Sequence, residues 1–498
     1  MGKTLQVALQ ADPLAILSFV FYLIIIITIG VLSARFSSSG LSEFFLAGRK
    51  LKEFVVALSA VVSGRSAWLL VGVTGMAFTI GAPAVWTVTG YITAEVFLFA
   101  FIGKRLRRYT SMMGNLTIPD FFESRFKDKS NVLRIISVLI ILIFMISYVA
   151  AQFLAGGKAF STSFQMSELS GILLTAFIVL VYTALGGFLA VSLTDMIQAF
   201  FMIFALIALP IIAVSHSGGW GGIVGILGEF NPRFLNPFAF AAGGIIGFLG
   251  IGLGSPGNPH ILVRYMAVKD PRLLRKSCLI GTIWNVLMAW GAVFIGLLGR
   301  AYYLRPEALP GSDPENLFPF LAAAHLHPLL VGIVIASILA AIMSTADSQL
   351  LVASSGIVRD IYQKILVKGK TISQRRLVFL SRIVVLCLVS AALFLGAIAK
   401  QYVFWLVLFA WGGLGASFGP PLLLSLFWRR VTKAGVVAGF ISGTTVTIIW
   451  NQISYLKGLI YELVPAFLFS AFLTILISLL TSPPQGAEKE LRQIRPTY

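Results

Sequence analysis

The sequence predicts an all-α polytopic membrane protein of about thirteen transmembrane helices, and three observations carry that prediction. The 498 residues are 58% hydrophobic and only 11% charged, with a mean hydropathy of +0.93, more apolar side chain than a water-soluble core encloses. Apolar runs of about 20 residues, the length that crosses a bilayer as a helix, recur along the chain. The formal charge of +19 is dealt out to alternate loops between those runs, not gathered on one face or tail as nucleic-acid binding would require. A lipid bilayer, and not nucleic acid, is the expected partner. Cys278 and Cys387 lie inside apolar runs and suggest neither a disulfide framework nor a metal site. The four histidines (His216, His260, His325 and His327) form no ligand-spaced cluster with carboxylates, so no enzyme is expected.

Taken in order, the first run starts near Leu14 and lacks a small-residue cleavage site, so it reads as a retained span, 14–34. Twelve more follow at 53–80, 84–102, 132–164, 169–186, 193–215, 237–262, 276–300, 319–350, 377–398, 402–428, 434–452 and 458–481. The loops between them set a direction. Lys and Arg fill the first, third, seventh, ninth and eleventh loops (Arg49 and Lys50, Lys104 to Arg108, Arg264 to Lys276, Arg359 to Arg376, Arg429 to Lys433) and are sparse in the even ones. By the positive-inside rule the odd loops are cytoplasmic, with the N-terminus outside and the C-terminus inside. The fifth loop, 187-GFLAVSLTD-195, has no Lys or Arg and is placed by alternation alone. The segment 1–482 reads as one transmembrane domain, and 483–498 as a polar, poorly ordered cytoplasmic tail.

Two spans are interrupted. The second carries 63-SGRS-66, where Ser and Gly loosen a helix, and the seventh carries 252-GLGSPGNP-259, whose prolines and glycines do not form an ordinary helix. Each break opens a block of five spans, about 53–215 and 237–428, and the two blocks start on opposite sides of the membrane. Matched interruptions in inverted halves point to a transporter's midplane site; the other reading is a pair of ordinary kinks in a helical bundle. Arg65 sits inside the first break, where a charge needs a partner, a wet cavity or a function.

The stretches 47-AGRKLKEFVVALSA-60, 187-GFLAVSLTDMIQA-199, 257-GNPHILVRYMA-267, 338-ILAAIMSTADSQLLVASS-355 and 410-AWGGLGASFGP-420 carry a resemblance to the sodium/solute symporter family, running from about residue 15 to 480. The resemblance implies a LeuT-type five-plus-five inverted repeat in the inner membrane of a bacterium or archaeon. It also implies sodium-coupled symport into the cell of a small organic solute, an amino acid such as proline. A sodium-independent or proton-coupled carrier of the same fold, or a solute-sensing receptor, are the alternatives; a receptor would be expected to add a signalling domain, which the tail after Leu480 does not provide. Oligomeric state is not legible.

Carried over position by position, the family's main sodium site falls on the backbone carbonyls of Val62, Arg65 and Ala341 and the hydroxyls of Ser344 and Thr345. Sodium is a hard cation that takes several oxygens, and unwound backbone beside hydroxyls supplies them; read bare, 344-STADS-348 would equally make a small-residue helix interface. In members with a second sodium site, the matching residues are Asp195, Asp347 and Ser348. Against that stands Asp195 as a helix-capping residue and Asp347 facing a cytoplasmic vestibule. The substrate face falls on Ser66, Trp68, Tyr148, Ile251, Ser255 and Pro259, with Gln152 either a polar contact to substrate or an interhelical hydrogen bond. Proline-transporting members carry aromatic residues at the positions of Ile251 and Ser255, so shape and polarity differ here.

Those members also hold an aspartate at the position of Gly64 and an uncharged residue at that of Arg65. Arg65 lies about 20 Å along the helix from Lys52, and Glu95 about 14 Å from Lys104 on the same side, at about 1.5 Å per residue. A long arginine side chain spans that gap, so the two charges are expected either as an ion pair, or with Arg65 as a clamp for a substrate carboxylate or a tethered cation in place of sodium.

Overall fold

The computed structural model describes residues 12–37, 39–368, 370–398 and 402–494. Residues 1–11 of the expected domain and 495–498 of the expected tail lie outside them. Eleven helices among the described residues are long and apolar enough to cross a membrane: Pro13–Ser33, Glu53–Ile80, Ala82–Met112, Val132–Phe164, Gly186–Ser215, Pro271–Tyr302, Pro328–Leu366, Gln374–Ile398, Val403–Phe427, Lys433–Gln452 and Leu463–Leu480. The remaining two of the thirteen segments fall on the shorter apolar helices Glu168–Ala184 and Ala242–Gly257. The fifth ends where its helix breaks at Gly187 (φ 59°, ψ −168°), and the seventh is interrupted because Gly250–Gly257 winds as a tight 3-10 coil.

The second, ninth and eleventh spans are mostly enclosed by protein, whereas the first, sixth and thirteenth turn much of their surface outward. Leu17, Phe21 and Leu32, for example, are exposed on the first, as an apolar helix facing lipid should be. The second span, made of Glu53–Ala67, a widened π-helical stretch Trp68–Val73 and Thr74–Ile80, packs against the sixth, eighth and ninth. It runs antiparallel to the Pro259–Ala267 half of the seventh. Their ends meet where Leu51 N–H donates to the Ala267 carbonyl (3.3 Å) and Lys269 N–H to the Leu51 carbonyl (2.9 Å).

Several boundaries differ from the sequence reading. The ninth span starts at Pro328, not 319: Leu317–His325 is a separate short helix, His327 accepts the Leu329 N–H, and proline sits in the first turn where it needs no donor. It then continues to Leu366 through a π-helical stretch, Gly356–Leu366, and the third span likewise continues to Met112, so Lys104 to Arg108 ride on helix and not loop. Arg264, read as a loop cation, lies inside Pro259–Ala267 and is fully buried. The fifth loop shrinks to the break at Gly187, and Asp195 sits well inside the helix that follows it, so Asp195 does not cap a helix start. Within the tail, Ala487–Gln493 is helical with Ala487, Leu491 and Ile494 buried. It is tied down by Arg429 to Glu488 at 3.1 Å and Arg125 to Glu490 at 3.7 Å.

Candidate functional site

The second span breaks at Ser66 (φ 50°, ψ −173°), the last residue of 63-SGRS-66, while Gly64 stays helical. A serine in left-handed backbone costs about 1–3 kcal/mol and persists only where its surroundings hold it. Here they do. Ser66 Oγ accepts the Trp68 N–H at 3.0 Å, and Gln152 Oε1 accepts the Ala67 N–H at 3.0 Å. Gln152 therefore caps the helix that restarts after the break, while its Nε2 has no protein partner.

One turn before the break, backbone oxygens meet hydroxyls of the ninth span. Ser344 Oγ lies 3.4 Å from the Val62 carbonyl and 3.1 Å from that of Ala341, and Thr345 Oγ1 donates to the Ser63 carbonyl at 2.9 Å. All five residues are buried. The Arg65 carbonyl also accepts from the Trp68 N–H, and the second-span oxygen that Thr345 bonds is the Ser63 carbonyl. A neutral cluster of carbonyls and hydroxyls is what a monovalent hard cation needs, because each hydroxyl turns its lone pairs inward once the ion replaces its hydrogen-bond acceptor.

Beside it lies a charged pocket. Asp195 Oδ2 accepts from Ser59 Oγ (2.6 Å), Ser63 Oγ (3.2 Å) and Arg264 Nη2 (3.1 Å). Ser348 Oγ is bonded to Asp347 Oδ1 at 2.8 Å and also to Arg264 Nη2. Asp347 is buried and does not face a vestibule.

Arg65 points the other way. Its Nη2 is 3.3 Å from Glu95 Oε2, its Nε donates to Asn285 Oδ1 at 2.7 Å, and Asn285 Nδ2 donates to the same Glu95 oxygen. The guanidinium lies over the Tyr91 ring, 3.5 Å from its centre, a cation–π contact in a dry setting. This stacking also accounts for Gly64. A Cβ there would stand 1.9 Å from the Tyr91 hydroxyl oxygen, so tyrosine occupies the space that a side chain at 64 would need. Gly64→Ala is expected to cost about 1–3 kcal/mol by overpacking, and Tyr91→Phe in the same chain to return part of it. Melting temperatures of the three variants check this; equal losses in Gly64→Ala with and without Tyr91→Phe would refute the contact.

Tyr91 opens onto an aromatic cluster. Its ring is 6.5 Å from Trp68 and 5.2 Å from Trp411, Trp68 stacks on Phe404 at 5.8 Å, and His260 meets Tyr148 at 6.0 Å and Trp411 at 6.4 Å. Trp411 Nε1 donates to the Ile251 carbonyl at 2.8 Å, clamping the break of the seventh span. Gly254 is required there, since a Cβ would fall 1.9 Å from that nitrogen. Pro259 starts the helix that follows, and Tyr148 OH reaches Ser66 Oγ at 3.5 Å. On or beside this cluster the buried Trp68 Nε1, Tyr91 OH, Gln152 Nε2 and Ser255 Oγ have no protein partner. Each such group costs about 1–3 kcal/mol, a cost that a solute with its own polar groups relieves.

The structure thus brings Ser66, Trp68, Tyr148 and Gln152 together, ties Ile251 to the same aromatic cluster through Trp411, leaves Ser255 and Pro259 buried at the break of the seventh span, and gathers Val62, Ala341, Ser344 and Thr345 around another centre. Sequence reasoning passed over Ser63, Tyr91, His260, Arg264, Asn285 and Trp411. Some signals were present: Tyr91 is one helical turn before Glu95, and Asn285 is a polar residue inside an apolar span.

Comparisons with known proteins follow the same lines. The model of the Sodium:solute symporter family matches residues 44–443. Sodium/proline symporters of Staphylococcus aureus strains JH9, JH1 and N315 are each 37% identical over 512 aligned residues, covering 99% of this chain and 98% of theirs. Among solved structures, a Na+-coupled sialic acid symporter in a substrate-bound outward-open state superposes with a TM-score of 0.81 at 18% identity, covering 96% of this chain and 100% of that one. A nucleobase-cation-symport-1 family transporter, closed around bromovinylhydantoin, gives a TM-score of 0.56 at 13% identity over 92% of this chain and 99% of that one. At those identities the two structures establish a common fold.

Proposed function

Because this chain belongs to the sodium:solute symporter family, and so couples movement of a small solute to sodium across the cell membrane, we propose that its solute is proline or a close amino-acid analogue. The observation that carries this reading is the adjacency of two centres at one helix break. Val62 and Ser63 offer carbonyls to the ninth span immediately before it, and Ser66 and Trp68 face the aromatic cluster immediately after it. Sodium, as cargo, binds at the carbonyls of Val62, Ser63 and Ala341 and the hydroxyls of Ser344 and Thr345, with the Arg65 carbonyl on the same turn. The solute lies against Trp68, Tyr148 and the Ile251–Ser255 coil. Binding either partner orders the break and thereby favours the other, which is the coupling.

The segments 53–215 and 237–428 act as inverted halves, a reading supported by the antiparallel broken helices, and the basic odd-numbered loops favour an N-terminus outside and a C-terminus inside. The cluster of aromatic rings suits a compact, partly apolar amino acid, and Ile251 and Ser255 on the seventh span give it a different shape and polarity from an aromatic pair. Uptake of labelled proline into proteoliposomes, driven by an inward sodium gradient, tests the assignment against a potassium gradient and an excess of other amino acids, sugars and carboxylates. Sodium-driven uptake that proline fails to compete would assign the carrier to a different solute.

A further inference from the structure

Three helices end together on the side that the positive-inside rule makes the outer one. The sixth span ends at Ser215, the eighth at Tyr302, and the short helix Leu317–His325 at its own histidine. His216 caps the first of them, and its ring centre stands 5.8 Å from that of His325. We propose that His216 and His325 form a binding site for a divalent transition-metal ion of the zinc class, which clamps the Leu317–His325 helix to the sixth span and slows transport while it is bound.

The spacing suits a shared ion. Two imidazoles that each hold zinc at about 2.0–2.1 Å set their ring centres about 5–6 Å apart. His216 Nδ1 lies 2.9 Å from the Ile212 carbonyl, so that nitrogen carries the hydrogen and Nε2 keeps its lone pair for a metal. Tyr302 steadies both rings. Its own ring packs 4.4 Å from that of His325, and its hydroxyl donates at 2.7 Å to the Ala213 carbonyl, on the turn that carries His216. The three convergent helix C-termini add partial negative charge where the ion would sit. His216 is exposed and His325 partly so, which leaves the pair open to ions from the water outside. Among the described residues no group of three metal-ligating side chains occurs, so water completes the coordination. Such a site fills and empties with the metal level around it, unlike a closed structural one.

The restrained segment bears on the solute cluster. Leu317–His325 continues directly from Pro314–Asn316. There Glu315 accepts the Val403 and Phe404 N–H groups at 3.0 and 2.8 Å and pairs with Lys158 at 2.6 Å. Phe404 in turn stacks on Trp68. The segment is thus pinned at its start to the fourth and eleventh spans, and a metal on the histidine pair pins its end to the sixth. Any movement of this segment during transport then has to break the metal contact first.

Two arms test the site on tag-free purified protein and need no transported solute, so their outcome is separate from that of the proline reading. One equivalent of copper(II) should give an EPR spectrum split by two imidazole nitrogens in the wild type, and by one in His216→Ala or His325→Ala. His327→Ala should leave the spectrum unchanged, because its Nδ1 is turned to the Leu329 N–H. Zinc should raise the melting temperature of the wild type, reversibly with EDTA. The zinc concentration giving half of that shift should rise at least about tenfold in either alanine variant, the least that even a lost outer partner costs such sites. Equal copper spectra and equal zinc responses in the wild type and both variants would overturn the site. In proteoliposomes, external zinc should slow sodium-driven uptake of whichever solute the wild type carries, and should not slow it in His325→Ala. Wild-type uptake undiminished at zinc levels that saturate the melting shift would overturn the clamp.

Discussion

Arg65→Met and Glu95→Gln are each expected to lower folded yield and transport sharply, and the double variant to recover much of the loss. Both side chains are buried and 3.3 Å apart. Removing one partner of such a pair strands a charge in a poorly solvated site, at a cost of about 3–5 kcal/mol, while removing both can be near neutral. Asn285 modifies the expectation. It bonds both members, so neither single variant loses every partner, and in the double variant Asn285 keeps the side-chain amide introduced at 95 but loses the guanidinium; recovery should be substantial but incomplete. The two single variants should also differ with pH. A stranded carboxylate discards its charge by taking a proton, so Arg65→Met should improve in mildly acidic medium. A stranded guanidinium cannot do the converse, so Glu95→Gln should not improve. Thermal stability in detergent and solute uptake, measured for all four members of the cycle, decide the matter. Additive losses would show that the two charges act independently, and a mild Glu95→Gln beside a severe Arg65→Met would assign Arg65 to the solute's carboxylate.

The spans were legible because hydropathy over about 20 residues is a strong local signal, and a bilayer allows little except helices. What escaped sequence reasoning was decided across the fold. Within 63-SGRS-66 the residue that breaks was not legible: the hydroxyl of Tyr91 fills the space beside Gly64, and the chain breaks at Ser66, where Gln152 of the fourth span receives the freed Ala67 N–H. Arg264 was counted with the loop cations because it stands close to Lys269 and Arg272; its burial follows from contacts with Asp195 and Ser348, far away in sequence. Leu326 and His327 hold the interruption that separates Leu317–His325 from the ninth span. Two residues are too few to lower a hydropathy average, so a window runs through them. The motif at Ser344 and Thr345 was readable, but the partner oxygen at Ser63 was not, since backbone carbonyls carry no sequence signature.

Replacing Ser344 and Thr345 together by alanine is expected to raise the sodium concentration for half-maximal uptake at least about tenfold, equivalent to about 1.4 kcal/mol of lost ion binding. The two hydroxyls are the side-chain oxygens at that centre, each within 3.4 Å of a backbone carbonyl of the second or ninth span. Removing them leaves carbonyls alone, too few for an ion that sheds water only when several oxygens replace it. The fold should tolerate the change, because alanine suits a helix interior and each hydroxyl lost gives up only about 1 kcal/mol of net hydrogen bonding. The protein should therefore remain folded while its ion response shifts. Single variants should divide the effect. Thr345→Ala removes the hydroxyl facing Ser63, the residue that also meets Arg264, and Ser344→Ala removes the one shared between Val62 and Ala341. If coupling runs through these oxygens, solute affinity measured without sodium should stay as in the wild type, and only the sodium-dependent gain should fall, because a coupling free energy is lost from both ligands equally. Unchanged sodium activation in the double variant would remove these residues from the ion site. Equal loss of solute affinity with and without sodium would show that they shape the solute pocket instead.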